Sequence, residues 1–230
     1  MRATDFEFRW RFLAFGLGFT LGFEAYAFDH RNLADWLGRL SGTGGRPWFF
    51  LGAAIVVAAA LLRTWATAYL RTDVVHDLSL RTDRLVADGP YRHCRNPLYL
   101  GGILLAAGLG LYASRLGFVL MVGSILLLSL RLIGREEADL RAGRDASYAA
   151  YCRAVPRLGF ALGPRVPPGD GAARWLQACW GEAWIWLMAA GAAAFALTLR
   201  RAYLTGGMEL GLAVYVAMLL VLKARQSAAA

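Results

Sequence analysis

Two arginines, a histidine and an asparagine (Arg92, His93, Arg95, Asn96) stand between two prolines in the stretch from Asp88 to Gly102. Pro90 and Pro97 fix φ at two points and forbid a continuous helix across them. Gly89, Gly101 and Gly102 allow close backbone approach. A rigid backbone that presents guanidinium groups and an amide can hold an anion, a carboxylate above all. Further on stand Glu136 and Glu137, then Tyr148, Tyr151 and Arg157. Arginines and glutamates brought to one place would hold both ends of a zwitterion. Left in solvent they would be an ion-pair cluster of little energetic weight. His76 and Asp77 are either a proton-handling pair or a solvated loop pair.

Positioning these groups falls to a set of apolar runs. Runs over 12–28, 47–70, 98–113, 116–134, 183–199 and 208–222 are each expected to be a membrane span. Pro47 suits a helix start and Trp48 an interface. The runs 98–113 and 116–134 are separated only by Ser114-Arg115, so they form an antiparallel helical hairpin. That hairpin returns the chain to the side it left. It therefore brings Arg92, Arg95 and Asn96 to the same membrane face as Glu136 and Glu137. Pro156 ends a short helix carrying Tyr148 and Tyr151, which are neighbours at i,i+3. Pro164, Pro167 and Pro168 mark a linker. Trp175, Trp180, Trp184 and Trp186 are read as an interfacial belt. Glu24 and Arg63 fall inside apolar runs, where a charge is costly. Arg63 is placed either to snorkel to water or to point into the bundle.

The composition agrees. Of 230 residues, 58% are hydrophobic, and the mean hydropathy is +0.43. That is more apolar than a soluble domain. The expectation is an all-α polytopic membrane protein of about six transmembrane helices. Residues 1–230 form a single membrane domain, with a cofactor-binding core at about 85–160. The first apolar run is expected to be retained as a span rather than cleaved. The net charge of +9 does not imply nucleic acid, because the basic residues lie in short loops between apolar runs. Cys94, Cys152 and Cys179 are odd in number and lack Cys-x-x-Cys spacing, so neither a disulfide framework nor a metal site is expected.

With six spans, 18 of the Lys and Arg residues fall on one side and 6 on the other, Arg63 being within a span. This bias places both termini and both large polar segments in the cytoplasm. The abundance of Ala, Arg and Gly points to a bacterial source, and so to the inner membrane.

Gly89-Pro90-Tyr91-Arg92, then Arg95-Asn96-Pro97-Leu98-Tyr99-Leu100-Gly101, together with Glu136-Glu137, Tyr148-x-x-Tyr151 and Val155-Pro156-Arg157, resembles the isoprenylcysteine carboxyl methyltransferase and phospholipid methyltransferase superfamily. Asn96 stands where relatives usually carry histidine, and still offers a donor and an acceptor. Ala142-Gly143 and Arg144 stand where many relatives have Phe-Gly. The resemblance implies an integral-membrane enzyme that uses S-adenosylmethionine. It implies a cofactor wall of Gly89, Pro90, Tyr91, Arg92, Arg95, Asn96, Pro97, Tyr99, Gly101, Glu136 and Glu137, with Arg95, Asn96 and Glu137 as the catalytic group. Tyr148, Tyr151 and Arg157, joined by His76 and Asp77, are substrate-side candidates. The acceptor is lipophilic or small: an isoprenylcysteine-type carboxylate, a phospholipid amine or a thiol. Two other readings stay open. One is an NADPH-dependent membrane reductase of the sterol reductase type, and the other a non-enzymatic lipid-binding membrane protein.

Overall fold

The structure, a computed structural model, describes residues 2–70, 88–142, 146–169 and 171–228. His76 and Asp77 lie outside the described residues. Among the described residues the chain is all-α, with one isolated bridge between Asn32 and Ser114. The helices are α1 (Asp5–Arg9), α2 (Arg11–Glu24), α3 (Leu33–Ser41), α4 (Arg46–Tyr69), α5 (Pro97–Gly110), α6 (Arg115–Ala142), α7 (Ala146–Ala154), α8 (Trp175–Gly181), α9 (Ala183–Thr198) and α10 (Arg201–Ala228).

The apolar runs coincide with α2, α4, α5, α6, α9 and α10, and this is a polytopic membrane protein. Helices α4, α6 and the 201–221 part of α10 are long and apolar enough to cross a bilayer. Helices α8 and α9 form a fourth candidate, bent by 63° at their junction. Helix α5 is apolar but short. With 14 residues, it reaches only about 21 Å.

Two boundaries differ from the sequence expectation. Helix α6 does not stop at Gly134 but runs on to Ala142. No proline interrupts it, and the i,i+4 pairs Arg135–Asp139 and Glu137–Arg141 support the added turns. Helix α10 begins at Arg201 rather than Met208. The Gly206-Gly207 pair does not make a turn. A Cβ on Gly207 would meet the Gly191 backbone of α9 at 2.7 Å, so that glycine serves close helix crossing instead.

The six apolar helices stand in the order α2, α6, α5, α4, α9, α10, each packed on the next. Their shared core holds Val56, Ala59, Leu105, Leu109, Met121, Ile125 and Ile185. The row curves, so that its two ends face each other, and Phe12 of α2 meets Tyr215 of α10 edge-on at 6.4 Å. At the N-terminus, Glu7 caps its own helix through Thr4 and pairs with Arg131 at 2.8 Å. This ties α1 to the charged half of α6. At the other end of the hairpin, the Asn32 amide and the Tyr26 hydroxyl donate to the Tyr112 carbonyl, and Arg115 pairs with Asp29.

Candidate functional site

A 3-10 turn over Gly89–Arg92 presents the first half of the motif. Gly89 has φ +53°, and a Cβ there would run into the Tyr69 ring at the end of α4. Only glycine fits both demands. Pro90 is buried beneath the turn, and the Cys94 amide donates back to its carbonyl. Pro97 then starts α5. The Arg95 amide donates to the Pro156 carbonyl at 2.9 Å, so the two polar segments are joined through backbone as well as charge.

Glu137 is the centre of the charged cluster. Its carboxylate lies 3.4 Å from Arg95, 3.2 Å from Arg157 and 3.5 Å from Arg141. The Asn96 amide reaches it at 3.4 Å and donates to the Arg157 carbonyl at 3.0 Å. Only 6% of the Glu137 side chain is exposed, and 11% of Arg95, so this is a sheltered pair rather than a surface one. Arg95 also donates to the Cys152 carbonyl at 3.1 Å. Its Nε, and that of Arg157, are buried and make no hydrogen bond among the described residues. Arg157 Nε is close to Glu137 but not aligned to donate to it.

Glu136 takes a separate partner, accepting the Tyr99 hydroxyl at 2.7 Å. Arg11 brings a further cation. It is buried at the start of α2, donates to the Phe8 carbonyl, and lies over the Phe8 and Phe12 rings at 4.3 and 4.8 Å. It lines the same cavity as Glu136 and Tyr99. Nothing in the local sequence around Arg11 marked it as part of the site; its end of α2 reaches the site by packing on α6.

Above the cluster opens a cavity of about 1940 Å³ between α2 and α10. That is roughly twice the upper size of an ordinary small-molecule pocket. Tyr91, Arg95, Asn96, Pro97 and Tyr99 line it, with Glu136, Glu137, Tyr148 and Tyr151. Phe and Leu are the commonest residues in the rest of its wall, which also carries charged groups such as Arg11, Glu24 and Glu209. The Tyr148 and Tyr151 rings stand 6.1 Å apart, and Tyr151 donates to the Tyr91 carbonyl at 2.8 Å. Burial pushes all three phenols above the usual tyrosine range, so they remain protonated donors at neutral pH.

Five of the sequence-identified residues sit elsewhere. Arg92 does not meet the glutamates. Its Nε donates to the Val166 carbonyl at 2.9 Å, because the 3-10 turn points it at the linker. Gly101 packs on the stem of Arg63. Gly89 and Pro90 shape the turn, and Arg157 approaches the cluster from outside the cavity.

Two further interactions were not legible beforehand. Glu182, at the break between α8 and α9, is fully buried and binds Arg63 through two contacts of 2.9 and 3.0 Å. Thr67 donates to the same carboxylate at 2.8 Å, and the third arm of Arg63 reaches the Leu98 carbonyl at 3.2 Å. Arg63 therefore points into the bundle. Trp184 covers it at 5.2 Å and Trp186 donates to Thr64, so these two tryptophans leave the expected interfacial belt. Asp88 is the second. Its two carboxylate oxygens accept the amides of Gly169 and Gly171 at 2.6 and 3.0 Å, strapping the proline-rich linker across the turn.

Cys94 is fully buried in this turn, and burial pushes its thiol up to about 11. A raised thiol pKa leaves about one molecule in a thousand as thiolate at pH 8. Maleimide at pH 8 is therefore expected to label exposed Cys179 first and leave Cys94 unlabelled in the folded protein. Mass mapping checks this; rapid labelling of Cys94 would contradict the packing of the turn. Among the described residues no group of three or more potential metal ligands occurs.

Residues 47–142, from α4 through α6, match the phospholipid methyltransferase family, within the superfamily to which the motif is similar. The match contains the Arg95–Asn96–Pro97 motif and Glu136–Glu137, and ends before Tyr148. A stretch of 125 residues is 28% identical to the cobalt-zinc-cadmium resistance protein CzcN of Cupriavidus metallidurans. It covers 54% of this chain and 53% of that protein, so the match spans about half the relative's length. No solved structure matches the chain.

Proposed function

We propose that this chain, with its phospholipid methyltransferase stretch at residues 47–142, is an integral-membrane methyltransferase that takes S-adenosylmethionine and a lipophilic acceptor. One observation carries the reading. The Arg95 Nε donor lies buried and, among the described residues, without a hydrogen-bond partner, beside the Glu137 carboxylate in the wall of a large, largely apolar cavity. A buried donor of this kind is costly unless a ligand satisfies it.

The donor set fits the cofactor. Arg95 would bind its carboxylate through charge-assisted hydrogen bonds. Glu136 and Glu137 would balance its ammonium. Tyr91, Tyr148 and Tyr151 provide an aromatic wall for a purine. When bound, S-adenosylmethionine supplies an electrophilic methyl group on a sulfonium centre. The protein's part is orientation and exclusion of water, which can account for much of the acceleration of a two-reactant transfer.

The acceptor would enter along the gap between α2 and α10, whose walls suit an isoprenyl or acyl chain. A carboxylate acceptor needs no base. An ammonium or thiol must first lose a proton. The site and both termini are placed on the cytoplasmic side of a bacterial inner membrane, following the charge bias.

The direct test is calorimetric titration of the detergent-purified protein with S-adenosylhomocysteine. Saturable binding at one site per chain is the expected result. A folded protein that gives no heat would overturn the cofactor assignment, and protection by NADPH instead would favour a reductase.

A further inference from the structure

The linker between α7 and α8 carries an apolar surface that the proposed chemistry does not use. Leu162, at its tip, is 99% exposed, and Phe160 beside it is 42% exposed. Leu176 and Trp180 of α8 are 75% and 74% exposed, and Trp175 is 50% exposed. Helical spacing puts Trp175, Leu176 and Trp180 on one side of α8, with Ala178 and Gly181 buried on the other.

Both parts flank the last turns of α4. Phe160 stacks on His93 at 5.1 Å, and both rings pack on Trp65. The Arg174 amide donates to the Ala68 carbonyl at 2.7 Å. The apolar tip and α8 thus lie at the level where a membrane-crossing helix ends. Helix α8 departs from the axis of α9 by 63°, so it turns away from the direction of the span. Exposed basic residues, Arg165 in the linker and Arg174 at the start of α8, accompany the apolar groups. Tryptophan, phenylalanine and leucine on one face with arginine beside them is the pattern of an element lying in the membrane interface.

From this we infer that the Phe160–Leu162 tip and α8 form an interfacial anchor, seated in the headgroup region of an anionic leaflet. The occupant of this apolar surface is the bilayer itself, continuous with the lipid around α4 and α9. The anchor has a structural consequence for the turn at Gly89–Arg92. The same linker supplies the Val166 carbonyl to Arg92, the Ala161 carbonyl to His93, and the Gly169 and Gly171 amides to Asp88. Seating the tip in the interface holds this strap over the turn. The inference does not depend on methyl transfer.

Cys179 is exposed on α8 and serves as a native label site. A nitroxide would be placed there, and separately at Leu162→Cys in a Cys179→Ser background. A label replacing exposed Arg153 in the same background gives the aqueous reference. Collision with oxygen and with a water-soluble nickel chelate is compared in nanodiscs of phosphatidylglycerol and phosphatidylcholine. Both labels are expected several-fold more oxygen-accessible and less nickel-accessible than the reference, at a depth of about 5–10 Å into the headgroup and acyl boundary. Phosphatidylglycerol should draw them deeper than phosphatidylcholine. Nickel accessibility equal to the reference at both sites would overturn the anchor. Equal depth in the two lipids would overturn its preference for an anionic leaflet.

Discussion

Glu137→Gln is expected to keep the helical fold and to bind S-adenosylhomocysteine roughly 30- to 1000-fold more weakly than the wild type, about 2–4 kcal/mol. Three arginines converge on this one carboxylate. Arg141 and Arg157 are 59% and 40% exposed and can turn to water when the charge is removed. Arg95 cannot, because its side chain is sheltered and its backbone is bound to Pro156. The variant leaves Arg95 as an uncompensated cation and frees it to leave the position in which it would meet the cofactor carboxylate. Arg95→Ala should weaken binding by a similar amount. The two losses should not add in the double variant, because both act through the same ion pair. Calorimetry with each variant checks this, alongside circular dichroism and gel filtration to show that the fold persists. Unchanged affinity in Glu137→Gln would remove the charged cluster from the proposed site.

The largest effect on stability is expected at Glu182. Its carboxylate is fully buried and takes three hydrogen bonds, two from Arg63 and one from Thr67. Glu182→Ala would strand Arg63 inside the bundle, at a cost of about 3–5 kcal/mol. For a chain of this size that corresponds to a fall of roughly 6–20 °C in the thermal midpoint. Replacing the whole pair, as Arg63→Met with Glu182→Leu, should be much milder, since no charge is then left in the apolar interior. Thermal unfolding in detergent gives the comparison. A Glu182→Ala protein that melts with the wild type would mean that the carboxylate reaches solvent.

Much of the site was legible because its two halves are joined by a short hairpin. The 98–113 and 116–134 runs had to return the chain to one face, which put Arg95 near Glu137 without any knowledge of packing. The same logic could not choose among neighbours on that face. Arg92 and Arg95 are three residues apart and chemically alike, yet one holds the linker and the other the glutamate. The direction of the 3-10 turn separates them, and that direction depends on Gly89 meeting Tyr69. Gly101 gave no sign of its role either, because its partner, Arg63, comes from a different helix.

Hydropathy is a property of consecutive residues. The sequence alone therefore determined the all-α membrane class, the six apolar helices, and the closeness of the motif to Glu136 and Glu137. The rotation of each helix about its axis, and the choice of its neighbours, depend on contacts between distant residues. Arg63 and Glu182 are 119 positions apart, and Arg11 reaches the site only because α2 packs on α6. Side-chain packing across the curved row of helices decided those pairings, together with the cavity it encloses, because an ion pair or a cavity wall forms only where the folded backbone brings its members within reach.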